Sequence, residues 1–196
     1  MEGGNVDGPR IERAVREILA AVGEDAGREG LQQTPARVAA AYARLFSGLY
    51  EDPLRHLDVS FDESSRDLVL MRGIPFVSVC EHHLLPMVGR AGAAYLPEGR
   101  VVGFSEIVRL VEGYAARPQI QERLTAQVAD ALYEGLVSRG SLVVIEAEHT
   151  CMAATGAWNP GTTAVTSAAR GVFAEEPARR AEVLAAIRSS TLNPET

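Results

Sequence analysis

The chain reads as an α+β protein in which helices cover one face of a mainly antiparallel sheet, behind an N-terminal helical hairpin. Three observations carry this reading. Stretches with apolar residues at three- and four-residue spacing are interleaved with short β-branched or alternating runs. The two kinds follow one another as αα, ββ, αα, ββ, α, an order that suits helices laid on an antiparallel sheet. The chain has 196 residues, 46% of them hydrophobic, which fits one domain with a proper core.

Residues 1–9, with Gly3, Gly4, Gly8 and Pro9, read as a disordered tail, and 10–196 as a single domain. Within it, residues 10–48 form the hairpin and 67–189 the core. Ile11, Ala14, Val15, Ile18 and Leu19 recur at helical spacing up to Gly23. Thr34-Pro35 then supplies an N-cap followed by a proline at the first helical position. Val38, Ala41, Tyr42 and Leu45 line one face of that second helix, and Gly48 stops it.

Residues 49–66 are irregular and contain His56, which reads as an isolated surface histidine. Strand signals run from Asp67 to Met71, Ile74 to Cys80 and Val88 to Leu96, with a turn at Pro97-Glu98-Gly99. Val101 to Phe104 is a short extended stretch. Ser105 reads as the N-cap of a helix through Tyr114, and a longer helix runs from Pro118 to Val137 with Ile120, Leu124, Val128 and Leu132 inward. Gln121, Glu122 and Arg123 fall in its first turns; periodicity alone makes them a solvated helix start. Leu142 to Ile145 is a buried strand continued by alternation to Cys151, which puts His149 and Cys151 on one face. Residues 155–161 form a loop, Thr162 to Ser167 a strand, and Pro177 to Arg188 a closing helix.

Net charge is −7 and all 19 basic residues are arginine. An acidic chain lacks the electrostatic footprint of a nucleic-acid binder. No apolar run approaches the roughly 18 residues of a membrane span. No secretory signal opens the chain, so a reducing, cytoplasmic compartment is expected.

The chemistry concentrates in two segments. Of two cysteines and four histidines, all but His56 lie in Cys80-Glu81-His82-His83 and His149-Thr150-Cys151. Cys80 and His83, three apart, can face one ion across a turn. Cys151 suits the third position, because thiolates and imidazole together favour zinc. Three protein ligands leave the fourth tetrahedral position open, the mark of a catalytic zinc. His82 and His149 are then left as proton donors and acceptors. The alternatives are a Cys80–Cys151 disulfide, disfavoured in a reducing compartment, or buried apolar cysteines beside hydrogen-bonded histidines; clustering favours zinc over both.

The chain also resembles the GTP cyclohydrolase I family. The likeness runs over residues 11–189, through Thr34-Pro35, Cys80-Glu81-His82-His83-Leu84-Leu85-Pro86, Gly103-Phe104-Ser105, Arg117-Pro118-Gln119-Ile120-Gln121-Glu122-Arg123 and His149-x-Cys151-Met152. It implies the tunnelling fold, a ββααββ unit, assembled as a homodecamer with active sites between subunits. It implies Zn2+ on Cys80, His83 and Cys151, catalytic His82 and His149, guanine held by Gln121 and Glu122, and Ser105 and Arg109 near ribose and triphosphate. The implied reaction opens the imidazole ring of GTP, releases formate and yields 7,8-dihydroneopterin triphosphate, the first step of pterin and folate biosynthesis.

Two positions depart from the family. Glu106 stands where it has lysine, and Thr155 where it has an arginine, both triphosphate-binding. Arg170 is the candidate for a replacement cation. Two alternatives follow: a paralogous zinc cyclohydrolase acting on a less phosphorylated guanine nucleotide or related purine, or a non-catalytic purine- or pterin-binding member.

Overall fold

The structure is a computed structural model and describes residues 6–64, 66–157 and 161–188. Residues 1–5 of the expected tail, 158–160 of the expected loop and position 189 lie outside the described residues.

The first helix, α1, spans Gly8–Ala21, with the Asp7 carboxylate accepting from Arg10 N at 3.0 Å. Gly8 and Pro9 therefore belong to the helix and not to the tail; a proline costs nothing in a first turn, where its missing N–H would have no partner. α2 spans Thr34–Leu45 with Gln33 at its cap, so Thr34 lies one residue inside the helix it was expected to cap.

Two strand signals merge into one strand, β2 (Val69–Cys80), after the short β1 (Ser60–Asp62). A bulge between Met71 and Ile74 accounts for the interruption. Gly73 takes the left-handed conformation there, φ +70°, which a side chain would resist. β3 is Pro86–Leu96, β4 is Arg100–Val102, and β1 pairs with β4 as a separate ribbon.

α3 spans Phe104–Ala115 and is capped by Gly103, which moves Ser105 from the expected cap into the first turn. The longer helix also starts late. Pro118–Gln119 is a short strand, β5, parallel to Val79 and Cys80, and Ile120 is still extended, so α4 runs Gln121–Asp130 before a π-type turn over Ala131–Gly135. Proline disfavours helix in the residue before it, and the pairing of Pro118 and Gln119 with Val79 and Cys80 holds the chain extended as far as Ile120.

β6 (Gly140–His149) is followed by a single helical turn, α5 (Thr150–Ala154), then β7 (Thr163–Gly171), α6 (Val172–Glu175) and α7 (Pro177–Arg188). The main sheet has the order β5-β2-β3-β6-β7, antiparallel except at β5.

Neighbouring residues of a strand point to opposite faces, and β3 shows what each face meets. Ala93 and Tyr95 pack into the core with Ile107, Leu110 and Val111 of α3 and Leu124 and Val128 of α4. Ala94 and Leu96 pack with Phe173 and Val183. The two helices of the ββααββ unit thus cover one face, as the tunnelling fold requires, and the C-terminal helix closes one end of the other. The remainder of that second face is open: Val77, Val88 and Val165 are each about half exposed.

The segment between α2 and β1 is tied to α3. Gly48 N donates to Ala116 O at 3.0 Å, and Arg117 donates to Gly48 O and Glu51 O. A Cβ at Gly48 would lie 2.1 Å from Gly113 O, so this close approach needs glycine. His56 is not the free surface residue expected. Its side chain is 15% exposed, with Nδ1 3.4 Å from a Glu106 oxygen and Nε2 3.7 Å from a Glu51 oxygen.

Candidate metal centre and active site

Four elements converge at one end of the main sheet. β2 ends at Cys80, and a turn closed by Leu84 N to Cys80 O and Cys80 N to Leu85 O carries Glu81, His82 and His83. Leu84 adopts φ 53° to close it, unusual for a residue with a side chain. β5 alongside delivers Gln121 and Glu122 at the start of α4. β6 ends at His149, paired with Met87 on β3.

Cys151 does not continue that strand, contrary to the alternation argument. The Thr150 hydroxyl donates to Pro86 O at 2.6 Å, the chain turns into α5, and Cys151 enters the site from a helical turn. The change of element still brings it to the same place. The ligand atoms of Cys80, His83 and Cys151 all lie within 4.8 Å of one another. Cys80 Sγ is 3.7 Å from His83 Nδ1 and 3.9 Å from His82 Nδ1, but only His83 completes the group with Cys151.

Both cysteines are buried and free, so no disulfide links them. Burial, then the neighbouring Cys80 sulfur, pushes the Cys151 thiol above its ordinary range. Two buried sulfurs and an imidazole facing one point make a donor set that fits a thiophilic dication such as zinc, whose charge would stabilise the thiolates that burial disfavours.

His149 sits beside this group. Its Nε2 is 2.7 Å from Gln121 Oε1. The Gln121 amide nitrogen faces Ile145 O, Ala164 O and Thr166 Oγ1 at 3.0 to 3.1 Å. Those contacts fix the amide orientation, since the carbonyls can only accept. Gln121 Oε1 therefore accepts from His149 Nε2–H, and the neutral imidazole carries its lone pair on Nδ1. Burial depresses the His149 pKa, with the charge of Glu122 opposing it, so the ring is neutral near pH 7. That interaction also places Glu122 within electrostatic reach of His149. The Gln121 side chain is itself 2% exposed, and its hold on His149 was invisible to helical periodicity, which made it part of a solvated helix start. Glu81 is held by Arg123, which lowers its pKa.

Ser105 and Arg109 are not brought to this group within one chain. The C-terminal end of α3 leads through Arg117 into β5 beside Cys80, so Ser105 stands about ten residues, or roughly 15 Å, up the helix axis. Arg109, one turn further along, borders a different region, a cavity of about 1150 Å³ lined also by Arg44, Glu51 and His56. Arg170 is also remote. It pairs with Ser141 at the far end of β6 and binds Asp130, about 27 Å from His149 at the rise of a strand. It is no replacement cation for this chain's own centre. Thr155 closes α5, its hydroxyl donating to Cys151 O at 2.9 Å. Among the described residues no helix is long and apolar enough to cross a membrane.

Comparison with known proteins places this arrangement. The family model described as GTP cyclohydrolase I matches residues 11–188. The chain is 55% identical over 183 residues to the GTP cyclohydrolase 1 of Carboxydothermus hydrogenoformans, covering 93% of this chain and 95% of that one. It is 55% identical over 185 residues to that of Corynebacterium aurimucosum, with 93% and 94% covered. The Mycobacteroides abscessus enzyme is 57% identical over 180 residues, with 91% and 88% covered. Among solved structures, the apo form of the archaeosine synthase QueF-Like matches with a TM-score of 0.46 and 19% identity, over 55% of this chain and 96% of that chain.

Proposed function

This chain belongs to the GTP cyclohydrolase I family, and we propose that it hydrolytically opens the imidazole ring of GTP, releases formate and forms 7,8-dihydroneopterin triphosphate at the end of the sheet where β2, α4 and β6 meet. The observation that carries the reading is the convergence of Cys80, His83 and Cys151 beside a histidine held in one tautomer by Gln121. Metal ligands and an oriented proton carrier in one place are what a ring-opening hydrolysis needs.

Zinc held by Cys80, His83 and Cys151 would supply Lewis acidity that makes water available as a nucleophile near neutral pH. His149 accepts a proton at Nδ1, the nitrogen that Gln121 leaves with the lone pair. His82, on the exposed turn next to the ligand His83, serves as the second proton carrier, donating to the ring nitrogen as the C–N bond breaks. Glu122, exposed in the first turn of α4, accepts from the guanine N1–H and 2-amino group. Adenine presents an acceptor at N1, so the same carboxylate rejects it. Gln121 acts behind His149, its side chain being committed within the protein.

Ser105 and Arg109 reach nucleotide only if a second copy supplies them, so the working unit is a homo-oligomer with sites between subunits; a decamer is the assembly the family implies. Two features support assembly. β7 is a nine-residue strand at the edge of the sheet, and the half-exposed Val77, Val88 and Val165 lie on the open face. The protein is assigned to the cytoplasm, where free buried thiols persist.

The test is to incubate the zinc-loaded protein with GTP, GDP, GMP and guanosine, measuring formate and the fluorescence of the oxidised pterin. Release of one formate per GTP with pterin formation is expected. Zinc-loaded protein that releases formate from none of the four would overturn the assignment.

A further inference from the structure

We propose that Glu106 is a specificity-determining residue that cancels the positive charge at the phosphate end of the nucleotide site, so that this chain discriminates little between GTP and its shorter analogues. The inference rests on the reading above, which brings the nucleotide phosphates to Ser105 and Arg109.

Glu106 lies in the first turn of α3 with its side chain 9% exposed. One carboxylate oxygen accepts from Arg109 Nη1 at 2.6 Å and from Ser105 Oγ at 3.3 Å. The other lies 3.4 Å from His56 Nδ1. The far side of the His56 ring faces Glu51, which in turn binds Arg55 at 2.6 Å. Glu51 and Glu106 thus match Arg55 and Arg109 charge for charge, and His56 bridges the two pairs.

The two groups best placed to hold phosphate oxygens are therefore already engaged by a carboxylate of the same chain. A phosphate must share Arg109 and Ser105 with Glu106 or displace it. Displacement is costly, because a buried carboxylate that loses its donors keeps its desolvation penalty. Sharing sets two anions on one guanidinium, and the repulsion grows with the charge of the phosphate chain. GTP loses more than GMP. Residue 155 offers no compensation, being a threonine engaged with the α5 backbone.

The experiment is equilibrium dialysis of GTP, GDP and GMP against the full chain, unmodified and as Glu106→Gln and Glu106→Lys, at fixed moderate salt because screening flattens charge effects. The unmodified protein is expected to bind GTP within about tenfold of GMP. Glu106→Gln should tighten GTP by about tenfold or more, the scale of a charge-assisted hydrogen bond, and GMP by much less; Glu106→Lys should widen the gap further. A thousandfold preference for GTP in the unmodified protein, or equal shifts for both nucleotides in the variants, overturns the proposal. Should Glu106→Lys not fold, the nearly isosteric Glu106→Gln decides alone. Formate release from GTP with selectivity unmoved removes the role of Glu106 and leaves the cyclohydrolase standing. A selectivity shift in a protein that releases no formate does the reverse.

Discussion

His149 Nε2 lies 2.7 Å from the amide oxygen of Gln121, and the amide nitrogen of Gln121 is committed to Ile145 O, Ala164 O and Thr166 Oγ1. The β7 side chain Thr166 is itself 2.6 Å from Thr125 Oγ1. A chain of hydrogen bonds from the sheet thus fixes the tautomer of one histidine. Gln121→Met keeps the volume but removes the acceptor that holds the ring. It should lower kcat by about 10²-fold, the scale of a general acid–base contribution, with KM nearly unchanged. It should also cost about 1–3 kcal/mol of stability by orphaning buried acceptors. Steady-state kinetics decide: a raised KM at constant kcat would place Gln121 on the substrate instead.

The metal group makes a prediction independent of activity. Elemental analysis of the purified protein should find about one zinc per chain. Cys80→Ser, Cys151→Ser and His83→Ala should each empty the site, because three ligands leave no redundancy. His82→Ala should keep its zinc and lose activity by about 10²–10⁴-fold. Loss of metal from His82→Ala would exchange the roles of His82 and His83, both of which approach Cys80 Sγ.

Among the described residues the Glu122 side chain has no hydrogen bond or ion pair within the fold, and it is exposed at the start of α4. Glu122→Gln should therefore leave the melting temperature within a degree or two while lowering kcat/KM for GTP by about 10²-fold, the loss of one or two charge-assisted hydrogen bonds. An undiminished kcat/KM would remove Glu122 from guanine recognition.

Tyr95 supplies a pH dependence of stability. Its ring is 1% exposed and its hydroxyl accepts from Val102 N at 3.1 Å. Burial raises its pKa above the ordinary value of 10.0, the bond from Val102 opposing this. With the folded pKa above the unfolded one, the unfolded state gives up its proton first as pH rises. The contribution of Tyr95 is complete below about pH 10 and is lost above it. Tyr95→Phe should flatten the alkaline limb of a denaturation series run from pH 8 to 11, while costing about 1–3 kcal/mol at neutral pH for the unpaired Val102 N–H. An identical alkaline limb in both proteins would assign that loss of stability to other groups.

Local sequence was informative wherever a local cause governs structure. The α3 and α4 stripes are set by helical spacing, and the β3 and β6 runs by their β-branched and small residues. Boundaries failed where a neighbour outside the window decided. Pairing with β2 held Pro118 and Gln119 extended, a bulge at Gly73 joined two strand signals, and the Thr150 bond to Pro86 ended β6 before Cys151. Helix caps failed by one or two residues, at Gly103 and Gln33, because several adjacent residues can serve as caps and backbone context chooses among them.

By itself the sequence determined the donor set and the family. Cys80, His83 and Cys151 are rare residue types at informative spacing, and the chemistry of thiolate and imidazole follows from composition alone. Only the tertiary structure decided which polar groups meet across long separations. His56 is fifty residues before Glu106, and Gln121 is twenty-eight before His149, yet both pairs are in contact. The physical reason is that such contacts are fixed by how helices and strands pack, through register and burial summed over the whole core. No periodicity of a local window encodes them.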